Sequence, residues 1–158
     1  MISLRENMVY KYFAFGIIML VSMYCAYCFK KYGEDKIKYH YSIIEFISYV
    51  KRQIGYFCTP TQKILGNYDD PILNKSGFFE KNGIEENIYL DSQGKKILLE
   101  FFSMLGKSDA EDQMANCDYT IESINSLLNE YKDDVVKRYK AYSTISVVVG
   151  LMLIILLI

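Results

Sequence analysis

Residues 105–135, LGKSDAEDQMANCDYTIESINSLLNEYKDDV, decide the fold class of this chain. Apolar side chains recur there at spacings of three and four, as in an amphipathic helix with a heptad seam: Met114, Cys117, Ile121, Ile124, Leu128, Tyr131 and Val135. Because no proline follows, we predict one long helix, or two nearly collinear ones, starting at Ser108. The seam packs either on an earlier helix in an antiparallel bundle, which we favour, or on another chain as a coiled coil.

A helix-turn-helix joint precedes this long helix. Gly106 occupies the place of a left-handed glycine that ends a helix, and Ser108 with Glu111 matches an S-x-x-E capping box. Acidic side chains at Asp109 and Asp112 favour the positive start of the next helix. The joint motif comprises Leu105, Gly106, Ser108, Asp109, Glu111, Asp112 and Gln113.

The segment Gly106-Lys107-Ser108 also resembles the end of a phosphate-binding loop. The first glycine of such a loop falls on Phe101, and the preceding residues form an amphipathic helix rather than a buried strand. We therefore predict no nucleotide site there.

Three further helix starts can be read from the sequence. Thr59, Pro60 and Gln62 combine a capping hydroxyl, a proline in the first turn and a side chain that reaches back, which predicts a short helix ending at Gly66. Asp70 and Pro71 predict a second helix that runs toward Gly83, and an amphipathic pattern from Ser92 predicts a third. A longer helix is predicted from Glu34 to Gly55.

The sequence as a whole predicts an all-α fold, an antiparallel bundle of about five to six helices flanked by an N-terminal and a C-terminal transmembrane helix. The predicted divisions are a short extracytoplasmic tail at 1–11, a first span at 12–29, a cytoplasmic helical domain at 30–141 and a second span at 142–158. With 18 basic and 19 acidic residues, the chain has a net charge of −1, which argues against nucleic acid as a partner.

Both predicted spans lack charged side chains and are just long enough to cross the hydrocarbon core of a bilayer, which is roughly 30 Å thick. The first has a cleaved signal peptide as its alternative, although Tyr24 and Tyr27 leave no small-residue cleavage site. The second has a buried core helix as its alternative, although its end is apolar on every face. We expect both segments to be membrane anchors.

Basic residues adjoin the inner ends of both spans, which predicts that the middle of the chain is cytoplasmic and that both termini lie on the far side. These residues are Lys30, Lys31, Lys36, Lys38, Lys132, Lys137, Arg138 and Lys140. Within the spans, Ser22 with Ala26 and Ser146 with Gly150 have the small-x-x-x-small spacing of close helix contacts.

Cys25 and Cys28 form a C-x-x-C inside the first span, with no histidine near them. Structural packing in the membrane is the interpretation we favour, and a metal or redox role is the alternative. Cys58 and Cys117 are single, and we expect them to be buried small apolar residues.

Several of these features together resemble one protein family. The motif Leu105-Gly106-x-Ser108-Asp109-x-x-Asp112-Gln113, the long charged helix after it and the apolar C-terminal segment look like the stage III sporulation protein AB family of endospore-forming bacteria. The segment Gly55-x-x-x-Thr59-Pro60 and the first apolar stretch fit the same pattern.

The resemblance implies a membrane component of the channel complex that joins the mother cell to the forespore, located in the mother-cell membrane surrounding the forespore. It also implies a cytoplasmic part similar to the domains of type II secretion F proteins. The implied partners are a secretion-type ATPase and other membrane proteins of the channel complex, and self-association as a homo-oligomer stays open.

By themselves the residues indicate only a helical domain tethered at both ends. Together with the resemblance, we favour a non-enzymatic assembly platform with no cofactor and no metal, and one feature of the sequence supports it. From Ser108 to Tyr131 the chain has acids and no lysine or arginine, and a helix face of one charge sign suits docking to a basic partner surface. The candidate docking residues are Asp112, Asp118 and Glu122, with a merely solvated acidic face as the alternative. Other functions weighed are a membrane-tethered helical adaptor or signalling module, and a membrane-bound enzyme, for which His40 is the sole histidine.

Overall fold

The computed structural model describes the backbone of residues 2–57, 61–80 and 82–157. Within these ranges it describes the side chains of residues 13, 16, 17, 19–56, 63–80, 82–142, 144, 145, 148, 149 and 152. The helices are α1 (Ile2–Phe57), α2 (Thr61–Asn67), α3 (Pro71–Lys75), α4 (Ser92–Met104) and α5 (Ala110–Leu157). Since the described residues contain helices and no strand, the prediction of an all-α fold is confirmed.

The chain divides into two units, one formed by Glu34–Lys132 and the other by Met1–Gly33 with Asp133–Ile158. Within the first unit, α1 and α5 pack side by side. The Lys36 ammonium lies 3.6 Å from the centre of the Tyr131 ring, and further along α1 the Lys51 ammonium lies 2.6 Å from Asp118. Contacts move toward the start of α5 as α1 advances, so the two helices are antiparallel.

The heptad seam of α5 is part of the core of this unit. Cys117, Ile124 and Leu128 are buried, and Met114, Ile121 and Tyr131 are partly buried against the same core. The predicted packing of the seam on α1 within the chain is therefore confirmed. Burial raises the pKa of the Cys117 thiol to about 11, so this cysteine is a neutral core residue at neutral pH.

The short helix α3 begins as the sequence predicts. Asp70 Oδ1 accepts hydrogen bonds from the amides of Ile72 and Leu73, each at 2.8 Å, and Pro71 is in the first turn. The predicted extension toward Gly83 is wrong, because α3 ends at Lys75. Gly77 then adopts a φ of 70°, which ends the helix and turns the chain.

Two predicted boundaries differ from the observed helices. The predicted first span and the predicted helix from Glu34 to Gly55 form one helix, α1, and the helix predicted to end at Gly66 is α2, which ends at Asn67. The predicted helix start at Thr59 and Pro60 lies outside the described residues. The division at residues 11, 29 and 141 stays a prediction.

In the second unit, α1 and α5 again pack against each other. The rings of Phe29 and Tyr142 have centroids 4.8 Å apart, and a Cβ atom on Gly33 would lie 3.0 Å from the side chain of Val135. Many large apolar side chains of this unit are exposed, including Phe13, Leu20, Tyr24, Val136, Ile145 and Met152. In the part of the chain that the structure describes, no helix combines the length and apolar character that crossing a bilayer requires. The two membrane spans stay predictions.

Candidate functional site

The joint between α4 and α5 is formed by its backbone and by one long side chain. After α4 ends, Gly106 adopts a φ of 79°, as the sequence predicts, and the amide of Lys107 donates to the carbonyl of Met104 at 3.1 Å. The Gln113 side chain then bridges the turn. Its Oε1 accepts from the Gly106 amide at 3.0 Å, and its Nε2 donates to the Ser108 carbonyl at 2.7 Å.

The cap of α5 is Asp109 rather than Ser108. Helix α5 begins at Ala110, and the amide of Asp112 donates to Asp109 Oδ1 at 2.9 Å. The predicted capping box of Ser108 and Glu111 is therefore wrong by one residue. A carboxylate at the positive end of a helix is favoured both as a hydrogen-bond acceptor and as a negative charge.

Replacing Asp109 with alanine is expected to lower the free energy of unfolding by about 1 kcal/mol, since it removes the acceptor for the first turn of α5. Chemical denaturation of the full chain in detergent, followed by circular dichroism, measures the change. Ser108→Ala is the matched control and should change stability by less than about 0.5 kcal/mol. A larger loss of stability from Ser108→Ala than from Asp109→Ala would instead support Ser108 as the cap.

The three candidate docking residues lie on the solvent-facing side of α5, but they are not equivalent. The side chains of Asp112 and Glu122 are exposed. Asp118 is also exposed, yet both of its carboxylate oxygens lie 2.6 Å from the Lys51 ammonium of α1. The charge of Asp118 is partly balanced within the chain, so Asp112 and Glu122 contribute more to a negative surface.

The predicted helix-packing residues are only partly described. Ser22 and Ala26 are half-buried, whereas the side chains of Ser146 and Gly150 lie outside the described residues. Gly33 is a close-contact residue that the sequence reasoning missed. Its spacing of seven from Ala26 continues the same small-residue stripe, a signal that could have identified it.

A buried polar cluster lies where α1, α5 and the start of α4 meet, and the sequence reasoning missed it too. His40 is fully buried, its Nδ1–H donates to the Lys36 carbonyl at 2.7 Å, and its ring meets that of Tyr131 at 4.8 Å. Asp91, the cap of α4, accepts from the Gly94 amide at 2.8 Å.

Two pKa values in this cluster depart from their ordinary range. Burial lowers the pKa of His40, and the nearby Lys36 charge acts in the same direction. Burial alone would raise the pKa of Asp91, but the hydrogen bond from the Gly94 amide, the nearby Tyr131 hydroxyl and the charge of Lys36 outweigh it and lower that pKa. The cluster thus holds a neutral imidazole beside an ionised carboxylate, in a core position rather than in an open cleft.

No metal site is present among the described residues, which contain no group of three or more histidine, cysteine, aspartate or glutamate side chains that could hold an ion. Cys25 and Cys28 are exposed free thiols on α1.

Comparison with known proteins gives a family for the chain. The family model of stage III sporulation protein AB matches residues 79–158, half of the chain, which includes α4, the joint and α5. No curated protein and no solved structure matches. A family model that covers the joint motif and the whole of the long helix supports a sporulation-related protein, and the chain belongs to the stage III sporulation protein AB family.

Proposed function

We propose that this sporulation protein is a non-enzymatic integral membrane component of the channel complex between mother cell and forespore, and that it is an assembly platform for a secretion-type ATPase. The observation that carries the proposal is the outer face of α5, which presents Asp112 and Glu122 to solvent in a stretch without lysine or arginine. Membership of the family supports the sporulation context.

Exposed apolar side chains support placement in a membrane, and the sporulation family is the reason for proposing the mother-cell membrane. In the unit formed by Met1–Gly33 and Asp133–Ile158, side chains such as Leu20, Tyr24 and Met152 are at least 63% exposed, which is unfavourable in water and favourable in lipid. Basic residues at the inner ends of both apolar stretches favour a cytoplasmic location for the unit Glu34–Lys132. In that location the outer face of α5 would be accessible to a cytoplasmic ATPase.

We propose that the protein has no catalytic activity, because the surroundings of its sole histidine are unsuited to catalysis. His40 is enclosed in the core and its Nδ1–H is engaged by a backbone carbonyl. A general base needs access to a substrate proton, which this position does not provide.

Charge reversal tests the docking face. The double variant Asp112→Lys, Glu122→Lys is expected to weaken binding of the purified ATPase by about a hundredfold or more, because two basic side chains would then face a basic partner surface. The measurement is co-purification and titration of the ATPase with the full chain in detergent. Asp118 is left unchanged, since a lysine there would lie against Lys51 and destabilise the α1–α5 contact.

The matched control reverses two exposed acids on other helices, Glu45→Lys on α1 and Glu100→Lys on α4, with the same change in net charge. It should bind the ATPase as the native chain does. Wild-type affinity of the Asp112 and Glu122 variant for the ATPase, or an equal loss of affinity in the control, would contradict the assignment of the α5 face as the docking surface.

A further inference from the structure

A band of positive charge lies on the helix pair in the unit formed by Met1–Gly33 and Asp133–Ile158. We call it the basic collar and define it as two residues of α1 and three of α5, all of them exposed: Lys30, Lys31, Lys137, Arg138 and Lys140. Two contacts between the helices bracket it. Phe29 meets Tyr142 on one side, and Gly33 meets Val135 on the other.

These contacts place the collar residues at one level of the helix pair. Lys30 and Lys31 lie between the two contacts on α1, and the three α5 residues lie between them on α5. On α5 the two contacts are seven residues apart, which is about 10 Å along the helix at 1.5 Å per residue. The headgroup layer on one side of a bilayer is roughly 5 to 8 Å thick, so the collar matches one such layer in height.

The collar adjoins the exposed apolar part of the same unit. Next to Lys30 in the chain are the exposed rings of Tyr27 and Phe29, and beyond Lys140 are the exposed Tyr142 and Ile145. No acidic residue occurs between Phe13 and Phe29 or after Asp134. Arg138 makes an ion pair with Asp134 at 2.7 Å, on the side of the collar away from the apolar residues.

The surroundings of the collar favour a lipid partner over a protein partner. Successive residues of a helix are rotated by about 100°, so Lys137 and Lys140, three positions apart, share one face of α5, and Arg138 points to a different side. Lys30 and Lys31 add exposed cations on α1. Exposed cations on both helices, directly beside exposed aromatic and apolar side chains, are typical of residues at a membrane–water interface.

We propose that the basic collar binds the phosphates and anionic headgroups of the surrounding bilayer, and that it gives the protein a preference for anionic phospholipids. The proposal rests on the membrane placement proposed above. Lys36 and Lys132 are not part of it, because they belong to the unit Glu34–Lys132 and are half-buried.

Lipid enrichment around the full chain is the test. The chain is reconstituted into vesicles of phosphatidylcholine with one quarter phosphatidylglycerol, extracted with its annular lipid by a nanodisc-forming polymer, and the lipid ratio is measured by mass spectrometry. Phosphatidylglycerol should be enriched at least about threefold over the bulk ratio. The enrichment should fall as sodium chloride is raised to 1 M, where the Debye length is about 3 Å.

The collar variant replaces all five collar residues with glutamine and should retain lipid at the bulk ratio. A control replaces the same number of exposed basic residues of the other unit, Arg52, Lys63, Lys75, Lys96 and Lys107, and should keep the native enrichment. If the native chain retains phosphatidylglycerol only at the bulk ratio, or if the collar variant keeps the full enrichment, the lipid preference is overturned and the membrane placement is unaffected. Release of the native chain from the vesicles by alkaline carbonate overturns the membrane placement and, with it, the inference.

Discussion

Replacing Phe46 with alanine is expected to lower the free energy of unfolding of the central unit by about 3 to 5 kcal/mol. Phe46 is fully buried on α1, and its ring lies 5.1 to 6.1 Å, centre to centre, from those of Tyr68, Phe78, Phe79 and Phe102. Removing it leaves a cavity and breaks aromatic contacts with the chain segments before and after α3 and with α4. A loss of this size is a large fraction of the 5 to 15 kcal/mol typical of a domain.

Two further variants make this measurement specific. Phe46→Leu should cost less than the alanine variant because it fills more of the cavity. Tyr56→Ala removes a ring of α1 that is 83% exposed and should change stability by less than about 0.5 kcal/mol. Urea unfolding of the full chain in detergent, followed by near-ultraviolet circular dichroism, gives all three values. Equal losses for Phe46→Ala and Tyr56→Ala would contradict the aromatic core described above.

Acidification is expected to destabilise the protein through His40. The unfolded imidazole has a pKa of about 6.5, and burial lowers the pKa in the folded protein. Between those two values the unfolded state binds more protons, so stability falls as the pH falls. The contribution is fully present above about pH 6.5 and is lost as the pH drops through the folded pKa, at a rate of at most about 1.4 kcal/mol per pH unit.

The geometry around His40 explains why protonation is unfavourable there. Nδ1–H is committed to the Lys36 carbonyl, and Nε2, where the added proton would bind, has no hydrogen-bond partner among the described residues. The groups near the ring are Tyr39 and the ammonium of Lys36 on α1, Tyr131 of α5 and, before α4, the carboxylate of Asp91. Asp91 titrates below its ordinary value, outside this pH window.

His40→Asn is the matched variant, because a carboxamide can still donate to the Lys36 carbonyl but does not titrate. Unfolding free energies of the full chain at pH 7.5, 6.5 and 5.5 should fall with pH in the native protein and stay nearly level in the variant. Since the chain has one histidine, no other imidazole contributes to the difference. Equal slopes for the two proteins would refute a buried, neutral His40.

Much of the local structure could be predicted because it depends on neighbouring residues. Asp70 with Pro71 starts α3 and Gly106 ends the α4 segment, since a capping carboxylate and a left-handed glycine act within one turn of their own positions. The sequence predicts Ser108 as the cap of α5, whereas the structure has Asp109 there. Both serine and aspartate cap helices, and only the path of the backbone decides which of two adjacent residues does so.

The candidate site could be predicted less well, since it depends on contacts between distant residues. The acidic stretch of α5 is visible in the sequence, but the pairing of Asp118 with Lys51 needs α1 and α5 to lie side by side in one register. The same holds for the Gln113 bridge across the joint, which requires the turn to be folded before a side chain seven positions away can reach Gly106.

The sequence by itself determined the helical class, the heptad seam, the family motif and the distribution of charge, because periodicity, capping chemistry and composition are properties of local stretches. Only the tertiary structure decided that Phe46 joins several segments, that His40 is enclosed and that Gly33 allows close packing on Val135. Burial and pairing depend on residues that the fold brings together. The sequence around a side chain does not indicate which distant residue will shield it from water.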